Sequence, residues 1–374
     1  MIHTIAFSII ILITLLHGCG SSNNNNGNTT IDYRKNFNPS NEPFFPYQWY
    51  LSYTENQFSQ SGGIDQDANI HILDAWKYTR GKGITVAVID ANFEPSHPDL
   101  EPNVSAFYNA DFKTSKVTNK TDESSHGLAC AGFIAAPPNG IGILGSAPEA
   151  NLILIAQEFI DDAAGIRAFE YAKDHGAKII SNSWGTNNVS PAIASEMQDI
   201  KDQGITIFFA SGNENVNLDD SGFNDESEQP SVIGIGSTNE FNKRASYSNY
   251  GSSIDLLAPG GEVVGLVGLD DTGDQGSPYV YYQFDNGYEI KLDKDHAFET
   301  GTSFSCPLVA GIGALMLSVN PKLTPDQIEE ILIETADKIE ENDANYNKNG
   351  FSLTHGYGKV NAAKAVQKAK SLVQ

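Results

Sequence analysis

Five short runs in this chain, "ITVAVID", "NLILIA", "AKIISNSW", "ITIFFA" and "VIGIGS", are rich in β-branched residues and apolar on both faces. A strand with one wet face alternates apolar and polar residues, whereas continuous apolar runs belong to a parallel sheet covered on both sides. Between the runs, "AAGIRAFEYAKDHG" and "SPAIASEMQDIKDQG" have helical periodicity and end in Gly, a usual helix stop. Strand and helix alternate from Gly83 onward, which predicts an α/β fold: a doubly wound, mostly parallel sheet with helices on both faces. In such sheets the working groups gather at the carboxyl ends of the strands.

Two more helices close the chain. One is "TPDQIEEILIETADKI", with Thr324 as N-cap and Pro325 at the first helical position; the other starts near Asn361. The polar stretch "ENDANYNKNG" between them reads as a loop. "YVYYQFDNGYEIKL" alternates aromatic and β-branched residues about Asp285-Asn286-Gly287, the pattern of a β-hairpin with a tight turn. It sits as an insertion ahead of "ETGTSFSCPLVAG", where a Gly-Thr-Ser turn opens an apolar helix. No internal repeat is visible.

The chain of 374 residues carries a formal net charge of −24, which argues against nucleic-acid binding, since affinity for phosphate backbones comes mainly from clustered Lys and Arg. Some of the carboxylates could hold divalent cations. At the N-terminus, Ile5 to Leu16 is an apolar run too short to span a bilayer comfortably and suits a signal peptide over residues 1–18. Leu16-His17-Gly18-Cys19 resembles a bacterial lipobox, in which the Cys receives lipid and becomes the new N-terminus. The expected product is an exported lipoprotein facing the periplasm or cell exterior, or otherwise a secreted protein in which Cys19 is incidental, with a flexible polar tether over 19–42 and the globular domain over 43–374. Cys130 and Cys306 remain; two cysteines in a large exported domain are not a disulfide framework, and could form one bridge or stay as buried thiols.

Four residues stand at strand ends or helix starts. Asp90 ends "ITVAVID", where a carboxylate after apolar residues needs a hydrogen-bonding partner or water. His126 precedes a small-residue helix in "SSHGLACAGFIAA", and Asn213 follows a buried strand in "FFASGNEN". Ser303 opens a helix, among unpaired backbone N–H groups and the positive end of the helix dipole, where a developing oxyanion is best stabilised. Pro307 lies in the first turn of that helix, where its missing N–H would have found no partner. Each residue alone has an ordinary structural reading. Together, an Asp, a His, an amide donor and a Ser make the full set for acyl transfer.

On "VAVIDANFEPSHPDL", "HGLACAG", "NSWG", "ASGNEN", "GTSFSCPLVAG" and "GYGKVNAAKAV", in that order, the chain from about Pro43 to Gln374 resembles the subtilisin-like serine peptidases, or subtilases. The order Asp, His, Ser is that of subtilisin. The resemblance implies a serine endopeptidase with Ser303 as nucleophile, His126 as general base and then acid, Asp90 as its orienting carboxylate and Asn213 as oxyanion donor. It also implies that Ser183, Trp184 and Gly185 pair with an extended protein or peptide substrate. Glu214 would sit on the rim of the pocket for the residue preceding the scissile bond; with Asp219 and Asp220 close in sequence, a mild preference for Lys or Arg follows. Asp99, Asn139 and the carbonyls of Ile141 and Ile143 match a family calcium site. Cys130 matches a free thiol beneath the catalytic His of some members, which implies mercurial sensitivity, against the competing reading of a bridge to Cys306.

The chain also departs from the family pattern. Ala91 and Asn92 follow Asp90, Leu128 replaces the usual Thr and Phe304 the usual Met. The stretch from Cys19 to about Glu42 is too short for the inhibitory pro-domain many members carry, while "FFPYQWYL" resembles the start of the mature domain in kexin-like members. An impaired enzyme acting as a surface binding protein is therefore the alternative function. No organic cofactor is expected, and a monomer is assumed.

Overall fold

The computed structural model describes residues 37–53, 63–117, 124–159, 161–273, 276, 281–283 and 289–373. The expected signal peptide, Cys19 and most of the expected tether lie outside the described residues. Seven strands form one sheet: β1 (Thr85–Asp90), β2 (Val104–Asn109), β3 (Asn151–Ala156), β4 (Ile179–Asn182), β5 (Thr206–Ala210), β6 (Ile233–Thr238) and β7 (Ile254–Pro259). Their order is β2-β3-β1-β4-β5-β6-β7 and every pairing is parallel.

The sheet is doubly wound because successive side chains point to opposite faces and both faces are apolar. On β1, Val86 and Val88 enter one core cluster while Ala87 and Ile89 enter another; Phe208 and Phe209 divide in the same way on β5. Helices α1 (Ser124–Ala135) and α4 (Thr302–Val319) supply the first core, and α2 (Asp162–Asp174) and α3 (Pro191–Asp202) the second. α4 is long and apolar enough by composition to cross a membrane, yet 83% of it is buried inside the protein, where it serves as the central core helix. Helices α5 (Pro325–Thr335) and α6 (Ala362–Ser371) complete that side.

The cap signals work as the residues dictate. Thr324 and Gln327 form a reciprocal capping box at α5, and Ser190 caps α3 with Pro191 at its first position. α5 ends at Thr335, four residues short of the periodic stretch read from sequence, because Ala336 turns into extended backbone.

β1 and β4 are neighbours whose onward connections run to opposite halves of the sheet, so the crevice opens at their carboxyl ends. Before α4 the chain forms β8 (Leu266–Leu269), β9 (Tyr281–Gln283), β10 (Glu289–Lys291) and β11 (His296–Glu299). β9 pairs antiparallel with β10 as a hairpin, and β8 with β11; the turn at Asp285-Asn286-Gly287 lies outside the described residues.

The segment expected as a flexible tether over 19–42 is packed on the domain from Phe37 to Glu42. Phe37 sets its ring edge-on to Trp76 and beneath Arg80, Asn38 caps the turn Pro39–Asn41, and Glu42 is buried with its carboxylate on the N–H groups of Gly140 and Ile141. An aromatic ring and a hydrogen-bonded carboxylate fix these six residues to the domain.

Candidate active site

Asp90 closes β1 and is 3% exposed. Its Oδ1 accepts the N–H of Ala91 at 2.8 Å, and the two carboxylate oxygens lie 2.9 and 3.1 Å from His126 Nδ1. His126 stands in the first turn of α1, which approaches the end of β1 closely enough that a Cβ on Gly127 would meet Asn92 O at 2.4 Å. Only a glycine after the histidine lets the imidazole reach the carboxylate.

Ser303 is the second residue of α4. Its Oγ donates to the Ser183 carbonyl at 3.3 Å, and its own carbonyl receives Ser183 Oγ at 2.7 Å and Cys130 Sγ at 3.4 Å. The ring of Phe304 lies 5.5 Å from that of His126, which brings the turn that carries Ser303 close to the imidazole. Cys130 Sγ lies within 4.8 Å of ligand atoms of both His126 and Asp90. Both cysteines are buried free thiols, which overturns the bridged reading: Cys306 Sγ donates instead to Asn182 O at 3.4 Å. Burial pushes both thiols up, away from reactive thiolate.

Asn213 reaches the same turn after β5. Its Oδ1 accepts both Thr302 N–H at 2.9 Å and Thr302 Oγ1 at 3.0 Å, which leaves its NH₂ as the group available to a substrate. Thr302 was not singled out from sequence, although its place beside Ser303 was the available signal. Glu299, ahead of the same turn, is pushed up to about 7 by burial, an effect that the nearby His126 charge opposes.

Ser183, Trp184 and Gly185 continue β4 past its last sheet residue and separate two cavities. The larger, 470 Å³, holds Asp90 and His126 and is walled on the far side by Gln157, Glu158 and Phe159. Phe159, exposed, packs its ring edge-on to exposed Phe112. The smaller cavity, 190 Å³, lies beside Ser303 and Asn213. Trp184 Nε1 donates to Ile89 O at 3.1 Å, fixing the strand to β1. Among the described residues, the main-chain groups of Trp184 and Gly185 bond to no other backbone group and stay available to an added strand.

Glu214 lines the smaller cavity; Asp219 and Asp220 do not. Asp219 is turned to Ser252 and Asp220 to Asn217, because the short helix Leu218–Ser221 carries them away. The carboxylate that does line it, with Glu214, is Asp225.

At the predicted calcium site, Asp99 is 1% exposed; its Oδ2 accepts Ile143 N–H at 2.8 Å, and its Oδ1 is buried with no hydrogen-bond partner among the described residues. No described donor reaches the carbonyls of Ile141 and Ile143. Asn139 Oδ1 accepts Ile141 N–H at 3.1 Å and keeps one acceptor position. An orphaned carboxylate oxygen beside open carbonyls is a donor set that fits Ca²⁺. His296 Nε2 lies 3.6 Å from Asp99 Oδ2. Burial alone would lower His296, but Asp293 and Asp99 outweigh it and hold it up at about 9.

A model of the subtilase family matches residues 81–358. The chain is 32% identical over 328 residues to a probable subtilase-type serine protease of Deinococcus radiodurans, covering 81% of this chain and 43% of that protein. It is 30% identical over 364 residues to a calcium-dependent protease of Trichormus variabilis, covering 87% of this chain and 51% of the other. It thus spans about half the length of these curated relatives. Among solved structures, a protease from Pseudoalteromonas arctica superposes with a TM-score of 0.66 at 26% identity, covering 88% of this chain and 99% of that one.

Proposed function

Because the chain belongs to the subtilase family, we propose that it is a serine endopeptidase that hydrolyses protein or peptide substrates through an acyl-enzyme intermediate. In this reading Ser303, His126, Asp90 and Asn213 are its reacting groups. The observation that carries it is the imidazole of His126 clasped through Nδ1 by both oxygens of the buried Asp90, with its ring 5.5 Å from that of Phe304, the residue after Ser303.

The chemistry runs from those contacts. Ser303 Oγ attacks the scissile carbonyl carbon while its proton passes to Nε2 of His126; Asp90 holds Nδ1–H and stabilises the imidazolium that forms. The negative charge growing on the carbonyl oxygen receives hydrogen bonds from Ser303 N–H, at the positive end of α4, and from the Asn213 amide nitrogen. The C–N bond breaks as the imidazolium protonates the leaving amine, and water then repeats the sequence to release the acid. Main-chain pairing with Ser183 to Gly185 holds the substrate extended across both cavities.

A fluorophosphonate probe tests this directly. The expected result is covalent labelling of the wild type and none of Ser303→Ala. A wild type that takes no label would point instead to a surface binding protein on the same scaffold.

Calcium at Asp99, Asn139, Ile141 and Ile143 belongs to the same proposal, supported by the open oxygen donors there and by the calcium-dependent relative. It would be structural. An ion held at 100 to 1,000 times its Kd contributes about 3–4 kcal/mol. Its removal should lower the melting temperature by roughly 5 °C or more in a domain of this size. Chelation by EGTA that leaves the melting curve unmoved overturns the site.

Cys130 supplies a further expected outcome. A mercurial that reaches its sulfur would sit against the Ser303 carbonyl and beneath His126, so slow inhibition of the wild type is expected, with Cys130→Ser resistant. Equal sensitivity of the two proteins counts against the assignment. Export, and a lipid anchor on Cys19, complete the proposal; mass spectrometry of the membrane-extracted protein would find the diacylglycerol on Cys19 or refute it.

A further inference from the structure

We infer that the open cavity of 440 Å³ at the start of α6 binds the carboxylate of a small organic acid or of a peptide C-terminus, held by Lys359 and Asn242. The inference stands apart from the peptidase reading: no residue of this cavity lines the one that holds His126 or the one beside Ser303.

Lys359 is 1% exposed. Its backbone is fixed from both sides, its N–H and carbonyl pairing with the carbonyl and N–H of Asp337 at 2.9 and 2.7 Å and its residue bridging to Leu257 of β7. The side chain thus enters the cavity wall from a rigid base. Its Nζ donates to the carbonyl of Asp67 and, at 2.7 Å, to Asn242 Oδ1. An ammonium has three N–H groups, so one is left, and both acceptors are neutral. Among the described residues no carboxylate forms an ion pair with it.

The other charges of the cavity are matched or wet. Lys364 Nζ and Asn361 Nδ2 hold the two oxygens of Asp337 at 2.5 and 2.8 Å, and His71 Nε2 lies 3.6 Å from the same carboxylate. Lys338 is turned to the carbonyls of Gly350 and Tyr357. Asp67 is exposed, where water screens it. Lys359 is therefore a buried charge without an ionic partner. Beside it, Asn242 has its Oδ1 committed to the ammonium, and its NH₂ donates to no described residue.

A carboxylate answers both donors at once, one oxygen on Lys359 Nζ and the other on the Asn242 amide. A buried cation without a partner is costly, and an incoming anion relieves the cost. Burial lowers Lys359 to about 8, which leaves it charged at neutral pH. A monoanion suits the site better than a phosphate dianion, because Asp67 and Asp337 stand on the same walls and repel like charge. The volume lies in the range of small-molecule sites, about 300–1,000 Å³.

Calorimetry at pH 7 and low salt tests this, on Ser303→Ala so that no probe is turned over, with acetate, N-acetylalanine, N-acetylalanine amide and inorganic phosphate. N-acetylalanine is expected to bind about tenfold or more tighter than its amide, as a hydrogen-bonded charge requires. Ser303→Ala/Lys359→Met keeps the length of the side chain without its charge and should lose that binding, while Lys359→Arg should retain part of it. Any acid held in the cleft at residue 303 is untouched by Lys359→Met, so the difference between the two proteins belongs to this cavity.

A second measurement needs no change at Lys359. The bound carboxylate favours the charged amine, so above about pH 8, where the free amine is partly deprotonated, binding takes up protons and its heat depends on the buffer's ionisation enthalpy. The groups facing Lys359 are Asp65, Asp67, Asp337, Lys364 and His71, and His71, lowered by burial, is neutral in that range. Acid and amide bound alike, heats identical with and without Lys359→Met, or heats independent of buffer above pH 8 overturn the inference. Phosphate bound more tightly than N-acetylalanine overturns the choice of a carboxylate. Acetate as tight as N-acetylalanine supports a free organic acid as the occupant, and weaker acetate supports a peptide terminus.

Discussion

Replacing Ser303 with Ala is expected to lower kcat by about 10⁶, and replacing His126 with Ala by a similar factor, a magnitude carried over from subtilisin. The two groups act on one proton: without the hydroxyl the imidazole has nothing to deprotonate, and without the imidazole the hydroxyl stays a weak nucleophile. The double variant should therefore be scarcely slower than either single one. KM should move little, because the extended substrate is held by the main chain of Ser183 to Gly185 and not by the reacting groups. Stability should also be nearly unchanged, since Ser303 is only half buried and its Oγ makes one long hydrogen bond to the Ser183 carbonyl. Steady-state kinetics with active-site titration checks the expectation. Additive losses, with the double variant several orders below the singles, would mean that Ser303 and His126 serve separate steps.

Asn213→Ala should lower kcat by roughly 10²–10³, with a far smaller change in KM, because its amide meets charge that exists only in the transition state; the magnitude is again subtilisin's. The structure adds a sharper comparison. Asn213 Oδ1 is committed to Thr302 N–H and Oγ1, so the nitrogen is the group that turns to the cleft. Asn213→Asp preserves the contacts to Thr302 and substitutes a carboxylate oxygen for the amide nitrogen, setting like charge against the forming oxyanion. Its kcat should fall at least as far as that of Asn213→Ala. An Asp variant faster than the Ala variant would show that the amide nitrogen is not the donor.

Much of this was legible in the residues because the strongest signals are the local ones. β1, β3, β5 and β6 announce themselves as continuous β-branched runs, and Ser190, Thr324 and Asn361 cap the helices they precede. β2 was not read, since it lies at the sheet edge with a register shift and polar residues that dilute its pattern. β7 ends in Pro259 between two glycine-containing turns, and β8 and β11 are four residues each, too short to carry a period.

At the site, strand ends located Asp90, Asn213 and Ser183, and a helix start located Ser303. Charges in loops could not be located in this way. Asp219 and Asp220 are close to Asn213 in sequence but turn away on a short helix, while Asp225, twelve positions on, returns beneath Gly185. Sequence distance along a loop says little about which carboxylate faces a cavity, because backbone dihedrals decide it.

Ser303 stands at the head of a deeply interior helix, α4, which packs on α1 and α6 and against strands across the sheet. Fraying, which disarms residues on peripheral loops long before a domain melts, has no route to Ser303 that leaves the rest intact. Loss of the reacting geometry and global unfolding should then be the same event. If the proposed peptidase activity holds, any opened molecule is a substrate for its neighbours, and the lifetime of activity in solution should equal the unfolding half-life.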